Sequence, residues 1–227
     1  MFSMRVAIII GAMLVSSYLA TTQAGTINVT AGDTGIASWG PSAAAYGQTF
    51  TVLEGDSRLD SYTFEILSLN ASFPFVSQVY GWTGAAISGP AVYTSEVVLS
   101  PTPSNRYTPY TFSPSLPVLP GHEYIALITN YVDGVSIGGP VDGSVGGQIN
   151  ATNAHPYTGG SFAFAAGKDL GTFFVRDDFD LVFRAEFSAA PTPEPSTCAL
   201  LLAGLTLFLL DARRRKPFGR LLSASIT

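Results

Sequence analysis

Hydrophobic and polar residues alternate along two stretches of the chain, residues 61–66 and residues 180–187, with Val182 as the one exception. Alternation with a period of two is typical of a β-strand that buries one face. Residues 124–128 are apolar throughout, which favours a central strand covered on both faces. Shorter hydrophobic runs bounded by Gly, Pro, Asn and Asp predict further strands at residues 48–53, 77–82, 91–99, 107–112, 123–129, 161–164 and 172–176.

These nine strands, joined by short turns with no amphipathic helix between them, predict an all-β domain built as a two-sheet sandwich. Among sandwiches we expect a jelly roll. The composition agrees, because 23 Gly and 15 Pro among 227 residues, with only 12% charged residues, suit short strands and tight turns. We place this domain at residues 25–188 and interpret residues 132–147, rich in Gly and Asp, as a long surface loop.

The N-terminal segment predicts a signal peptide of residues 1–24. Arg5 supplies a positive start, about ten apolar residues follow, and small residues stand at the last and third-last positions, Ala24 and Thr22. Cleavage after Ala24 is therefore expected. An uncleaved membrane anchor is the alternative, but it needs a longer apolar run.

The C-terminal segment contains three parts in a fixed order. Residues 189–197 form a proline-rich linker, residues 198–212 form an apolar run that predicts a single transmembrane helix of marginal length, and residues 213–227 form a basic cytoplasmic tail. The residues that define this three-part order are Pro193, Glu194, Pro195, Ser196 and Thr197, which we interpret as a sorting motif, and Arg213, Arg214, Arg215 and Lys216, which we interpret as a membrane stop. The alternative interpretation of the whole segment is an ordinary single-span membrane anchor with a proline-rich stalk.

This three-part tail resembles the PEP-CTERM sorting signal of exported bacterial proteins. The resemblance implies export through the Sec translocon, residence in the inner membrane through the C-terminal helix, and processing by the membrane protease exosortase. The location would be membrane-anchored and then the cell surface or the extracellular space. Short motifs across residues 47–187, among them Tyr80-Gly81-Trp82 and Leu119-Pro120-Gly121, also resemble jelly-roll ectodomains of anchored bacterial proteins, which are similar in fold to carbohydrate-binding modules.

Charge and cysteine content exclude several classes of function. The formal net charge is −5 and the only dense basic run lies at residues 213–216, so the domain offers no surface for nucleic acid. The single cysteine, Cys198, permits neither an intramolecular disulfide nor a cysteine-based zinc site. The fold must therefore depend on its hydrophobic core.

One candidate catalytic pattern occurs, Gly134-Val135-Ser136-Ile137-Gly138, which matches the nucleophile motif of hydrolases. That chemistry needs a helix directly after the serine, and Gly139-Pro140 follow instead. The chain has just two histidines, His122 and His155, and a triad would require one of them to reach Ser136. We expect no catalytic residues and no enzyme activity.

Two binding features remain. Asp177, Asp178 and Asp180 cluster near the last strand and suggest either a calcium site, the only cofactor we consider, or a solvated acidic turn. Trp82 stands at a strand end before Thr83-Gly84 and is the best candidate for an exposed ring that stacks on a sugar. The sequence thus predicts a structural or interaction protein of the cell surface or extracellular matrix, linked to exopolysaccharide or biofilm. The alternatives are a carbohydrate-binding module with weak sugar or calcium binding and, further off, a secreted hydrolase.

Overall fold

The computed structural model describes residues 24–30, 34–37, 43–138, 147–168, 170–189 and 201–208, with backbone only for 34–37. One compact unit spans Thr22–Ala190, and a second comprises Met1–Thr21 and Pro191–Thr227. Residues 1–23 of the predicted signal peptide, the proline-rich sorting residues and the basic run lie outside the described residues.

The first unit is entirely β in its described residues. Its strands, in chain order, are β1 Thr26–Val29, β2 Thr34–Ala37, β3 Ala45–Thr51, β4 Asp56–Ser68, β5 Pro74–Trp82, β6 Ile87–Thr94, β7 Val98–Leu99, β8 Thr108–Phe112, β9 Leu116–Pro117, β10 Glu123–Thr129, β11 Tyr131–Val132, β12 Val135–Ser136, β13 Gly147–Thr152, β14 Phe162–Ala165, β15 Phe173–Arg176, β16 Asp180–Leu181 and β17 Phe183–Ala189.

Eight of these strands form the first sheet, with the order β1-β17-β4-β13-β16 and with β2, β8 and β9 paired at its sides. All pairings are antiparallel. The long strand β4 is the centre, because it pairs with β17 and β13 as well as with β8 and β9. The last strand, β17, lies between β1 and β4.

Seven strands form the second sheet, in the order β15-β14-β3-β10-β5-β6 with β7 paired to β5. The prediction of a central strand at residues 124–128 is confirmed, since β10 pairs with β3 on one side and β5 on the other. Its two faces enter two different hydrophobic clusters: Tyr124, Ala126 and Ile128 face the first sheet, and Ile125 and Leu127 face away from it. A run without alternation is what this double burial requires.

The main core lies between the two sheets and is rich in aromatic rings. Phe50 of the second sheet stacks on Phe183 of the first at 6.0 Å between ring centroids, and Tyr62 lies 5.3 Å from Phe112. Rings at these separations contribute about 0.5–1.5 kcal/mol per pair beyond the burial of their area. The fold is thus a sandwich-like all-β domain, as predicted in outline; the finer prediction of a jelly roll stays a prediction.

The predicted long loop at residues 132–147 is wrong in its first part. Strands β11 and β12 form a hairpin with a two-residue turn, Asp133 and Gly134, whose φ values are 50° and 76°. Two successive residues with positive φ are typical of the type I′ turn, and Asp-Gly is one of its preferred sequences. Residues 139–146 lie outside the described residues.

In the second unit, residues 201–208 form a helix, α1, whose side chains are exposed. Thr206 Oγ1 donates to the carbonyl oxygens of Ala203 and Leu202, at 2.8 and 3.0 Å. Across the part of the chain that the structure describes, no helix has both the length and the apolar character needed to cross a bilayer. The helix predicted at 198–212 extends on both sides beyond α1, so its membrane-spanning role stays a prediction.

Candidate functional site

A second, smaller hydrophobic cluster, here called the outer cluster, covers the face of the second sheet that points away from the first sheet. Trp82 of β5 packs edge-on against Phe173 of β15, with ring centroids 5.2 Å apart. Three strands lie between β5 and β15, so on a flat sheet these two strands would be about 19 Å apart. The sheet therefore curves toward this face. The buried members of the cluster are Ala45, Tyr80, Trp82, Ile125, Leu127, Ala163, Ala165 and Leu170.

The expectation that Trp82 is exposed is wrong. It does stand at the end of β5, but its side chain is only 8% exposed because it fills this curved face. Its contact partner Phe173 lies 91 positions further along the chain, where no local pattern at residue 82 could indicate it. Sugar stacking on Trp82 stays a prediction, and the exposed flat ring on which we based it is absent.

Beside the outer cluster lies a depression of about 260 Å³. Its floor is the outer face of β3, and the glycine-rich segment at residues 158–161 forms one wall. Glu123, at the start of β10, and Asp177, after β15, also line it. The lining is mainly polar, which suits a hydroxyl-rich ligand better than an apolar one.

Most hydroxyl groups of the depression already hydrogen-bond within the protein. Thr49 Oγ1 donates to the carbonyl oxygen of Ser161 at 3.1 Å and accepts from its amide at 2.7 Å. Thr51 Oγ1 donates to the carbonyl oxygen of Gly159 at 2.9 Å. These bonds fasten the 159–161 segment to β3, so the wall has a fixed position.

Two carboxylates remain available to a ligand. Glu123 is exposed and has no polar partner among the described residues, and Asp177 accepts a single hydrogen bond, from Ser161 Oγ at 3.0 Å. An ionised carboxylate accepts hydrogen bonds but cannot donate them. Glu123 and Asp177 therefore match donor groups such as sugar hydroxyls.

Asp180 does not belong to this surface, because it is fully buried and ties the two sheets together. Gln48 Nε2 of β3 donates to Asp180 Oδ1 at 2.9 Å, and the amide of Leu181 returns a bond to Gln48 Oε1 at 2.8 Å. The amide of Tyr157 donates to Asp180 Oδ2 at 2.9 Å, and His155 Nδ1 lies 3.3 Å from the same oxygen without hydrogen-bond geometry.

Burial raises the pKa of the Tyr157 phenol, and its bond with the Thr51 amide partly offsets that rise.

The prediction of a calcium site at Asp177, Asp178 and Asp180 is therefore not supported. Arg176 binds both carboxylate oxygens of Asp178 at 2.9 Å, and this contact holds the pKa of Asp178 below its ordinary value. Each of the three carboxylates has a different partner, and no group of three His, Cys, Asp or Glu side chains suited to a metal occurs among the described residues. The alternative, a solvated acidic turn, describes Asp177 and Asp178 but not the buried Asp180.

The hydrolase-like pattern at residues 134–138 is explained by the β11–β12 hairpin. Gly134 is the second turn residue, and Ser136 lies in β12, exposed, with its Oγ accepting a 3.3 Å bond from the amide of Gly138. A nucleophile motif instead requires a strand that turns directly into a helix. Neither His122 nor His155 bonds to Ser136 in the part of the chain that the structure describes.

Sequence reasoning missed Gln48 and Glu123. A signal for Gln48 exists, because it occupies an inward-facing position of β3 between Tyr46 and Phe50, and a buried amide needs a polar partner. Glu123 carries no comparable signal, since an exposed glutamate at the start of a strand is ordinary.

Comparison with known proteins identifies a motif in the C-terminal segment. Residues 191–216 match the sequence model of the PEP-CTERM protein-sorting motif. Among solved structures, the chain is similar to the cysteine protease and lectin-like domains of Cwp84, a surface layer associated protein of Clostridium difficile, with 14% identity and a TM-score of 0.46. That similarity covers 77% of this chain and 37% of the other. A search of curated proteins finds no match. The order of proline-rich linker, apolar run and basic cluster predicted this motif correctly: residues 191–216 of the chain carry the PEP-CTERM protein-sorting motif.

Proposed function

We propose that the protein is an exported, exosortase-sorted component of the cell surface or extracellular matrix, with a structural or interaction role linked to exopolysaccharide or biofilm. The observation that carries the proposal is the position of the sorting motif. Strand β17 ends at Ala189 and the motif begins at residue 191. A cut in the proline-rich segment would therefore leave every strand of the sandwich in place.

Export tests this proposal directly. The full chain is expressed in a Gram-negative host with and without an exosortase gene, and a variant in which Pro193, Glu194 and Pro195 are all Ala serves as a control. We expect tail removal, seen as a loss of mass, and recovery of the domain at the surface or in the medium only when the exosortase and the intact motif are both present. Identical mass and location in all three cultures would overturn the proposal.

Carbohydrate binding is the second candidate, and the depression on the second sheet favours it. Glu123 and Asp177 offer ionised acceptors on opposite sides of a floor of β3 residues, and Trp82 contributes to the lining. A jelly-roll topology, the finer form of the predicted fold, would match this role. Hydrogen bonds from sugar hydroxyls to charged acceptors are worth about 1.5–3 kcal/mol each, enough for weak binding in a shallow site.

A glycan array with Glu123→Gln and Asp177→Asn checks this candidate. Glu96→Gln is the matched control, because Glu96 is also exposed but lies in the connection between β6 and β7. Binding by the wild type and the control that falls about tenfold or more in the two variants would support a sugar site, since one lost charged hydrogen bond is about that large. Equal binding by all four proteins would exclude the depression as the site.

We also propose that the domain has no catalytic activity. The position of Ser136 within a hairpin supports this, and neither histidine hydrogen-bonds to it among the described residues. Hydrolysis of an ester or glycoside substrate that is lost in Ser136→Ala would contradict it.

A further inference from the structure

At the start of β4, a buried carboxylate has a hydrogen-bond partner at only one of its two oxygens. Asp56 is 1% exposed, and its Oδ1 accepts a 3.0 Å bond from the backbone nitrogen of Gly25. Its other oxygen, Oδ2, is buried and has no hydrogen-bond partner among the described residues. An ionised carboxylate is expensive to bury when it is only half satisfied, so this site calls for a further donor or a positive charge.

Gly25 is also the residue that the predicted signal-peptide cleavage would make the first of the mature chain. We propose that removal of the signal peptide after Ala24 turns the nitrogen of Gly25 into a terminal ammonium that forms a partly buried ion pair with Asp56. The proposal rests on the export proposed above. It assigns to Asp56 the role of a receptor for the new N-terminus.

The chemistry of cleavage supplies what Asp56 lacks. Signal peptidase hydrolyses the Ala24–Gly25 peptide bond with one water: the Ala24 carbonyl carbon takes the hydroxyl and the Gly25 nitrogen takes the remaining hydrogen. The carboxylic acid so formed at Ala24 releases its proton at neutral pH, and the Gly25 amine takes up one proton to become the ammonium. The amine so formed has an ordinary pKa of about 7.7–8.0 and is protonated at neutral pH. An amide nitrogen has one hydrogen to donate, whereas the ammonium has three and a full charge. It can therefore serve Oδ1 and Oδ2 together.

The residue identity at position 25 fits this arrangement. Oδ2 of Asp56 lies so close to the Cα of Gly25 that a Cβ at that position would collide with it. Only glycine lets the main chain approach the carboxylate this closely. The carbonyl oxygen of Gly25 accepts a 3.0 Å bond from the amide of Phe187 in β17, which fixes the residue on the edge of the first sheet.

Most other charged groups near this corner pair with one another. On β4, Arg58 Nε bonds to Asp60 at 2.6 Å, and on β17, Glu186 pairs with Arg184 at 2.6 Å. Glu54 precedes β4 and is exposed. Among the described residues, Asp56 thus provides the carboxylate that meets the nitrogen of Gly25.

The ion pair predicts a specific pH dependence. A terminal ammonium beside a buried carboxylate has a folded pKa above its unfolded value, because the charged form is stabilised. Its contribution to stability is fully present below about pH 7.7 and is lost as the pH rises through the raised folded value. The mature protein should therefore lose stability just above pH 8.

The test uses the full chain, exported from a Gram-negative host with its own signal peptide and purified after processing. N-terminal sequencing should start at Gly25. At pH 7, acylation of the terminal amine should be at least about tenfold slower in the wild type than in Asp56→Asn, one unit of pKa being tenfold. The matched control is Glu54→Gln, an exposed acid two residues earlier, which should react like the wild type.

A second variant covers the case in which Asp56→Asn does not fold. One extra glycine inserted between Ala24 and Gly25 restores an amide at Gly25 and moves the ammonium about one residue, 3.8 Å, away. It keeps the bond to Oδ1 but should lose the drop of the urea midpoint above pH 8. Cleavage at another site, or equal acylation rates and equal pH profiles in the wild type and this variant, would overturn the ion pair while leaving export intact. An uncleaved chain in the cytosol would overturn both proposals.

Discussion

Two buried carboxylates in the same sandwich differ in how completely their oxygens are hydrogen-bonded. Asp180, at the start of β16, is fully buried and receives the Gln48 amide and the backbone nitrogen of Tyr157. Asp56, at the start of β4, accepts a bond from one backbone nitrogen, and its second oxygen has no partner in the part of the chain that the structure describes. Ala189, the last residue of β17, pairs with Asp56, so the second carboxylate lies beside the end of β17 that is farther along the chain from Asp180.

The difference separates a group that the fold completes by itself from one that needs a change in the chain. Asp180 gathers donors from β3 and from the segment before β14, all of which exist as soon as the chain folds. Asp56 faces the one backbone nitrogen that gains hydrogens and charge when the signal peptide is removed. The domain would then reach its full stability only after export.

The largest effect is expected for Asp180→Ala. The Gln48 amide and the Tyr157 nitrogen would both lose their acceptor in the interior, at about 1–3 kcal/mol each. With the lost packing, we expect the free energy of unfolding to fall by about 3–5 kcal/mol in urea titrations. Asp178→Ala is the control: this carboxylate is exposed and pairs with the exposed Arg176, so the midpoint should not change. Equal effects of the two substitutions would refute the cross-sheet role of Asp180.

Gln48→Leu attacks the same network from the other sheet. It preserves the size of the side chain but removes a donor from Asp180 and the acceptor of the Leu181 amide. Because Asp180 keeps the Tyr157 nitrogen, we expect a smaller loss of about 2–3 kcal/mol.

Gln148→Leu, in β13, is its comparison. Gln148 is half-buried and accepts one long bond of 3.3 Å from Tyr107. Its replacement should cost less than about 1 kcal/mol. If thermal unfolding ranks the two substitutions in the reverse order, Gln48 does not connect the sheets in the way described.

Gly25→Ala sharpens the comparison at the other carboxylate. The added methyl group collides with Asp56 Oδ2, so strand β1 or the carboxylate must move. Forcing a methyl group into a packed site typically costs about 1–3 kcal/mol. Thr26→Ala, at the next and exposed position, should leave the unfolding midpoint within about 0.5 kcal/mol of the wild type. A wild-type midpoint for Gly25→Ala would mean that the corner is looser than described.

Strand β10 and Asp180 show how much of the fold could be predicted from the sequence. Strand β10 was predicted at its observed bounds, since a run that is apolar at every position has few other solutions in a β domain. Asp180 was assigned to a polar surface because alternation continues from β17, but the segment breaks at Val182 and the aspartate points into the sandwich. Its partner Gln48 is 132 positions away, and local alternation contains no information on such a contact.

The candidate site was predictable to a similar extent. The position of Trp82 at a strand end followed from the residues around it, whereas its burial depends on the curvature of a six-strand path and on Phe173. The tail was predicted best, because its three parts are read in order along the chain and need no tertiary contact.

The smallest effect on stability is expected for a substitution of Tyr62. This substitution distinguishes the stability lost when the terminal ammonium deprotonates from the stability lost when a buried phenol deprotonates. Burial raises the pKa of Tyr62 far above its ordinary value of 10.0, although its hydroxyl lies 2.7 Å from Ser77 Oγ. The folded state thus holds the phenol proton more tightly than the unfolded chain. This contribution is fully present below pH 10 and is lost as the pH rises above it.

Tyr62→Phe should cost only about 0.5–1.5 kcal/mol at pH 7, the worth of one hydrogen bond. Above pH 10 its stability should fall less steeply than that of the wild type, by about 1.4 kcal/mol per pH unit for the one group removed. Urea titrations from pH 7 to 11 measure both slopes. Because the ammonium titrates at lower pH, the substitution should leave the loss just above pH 8 unchanged, and Asp56→Asn should remove that loss while leaving the one above pH 10. If a single substitution abolished both losses, the two groups would not be independent and the assignment of the lower one to Gly25 would fail.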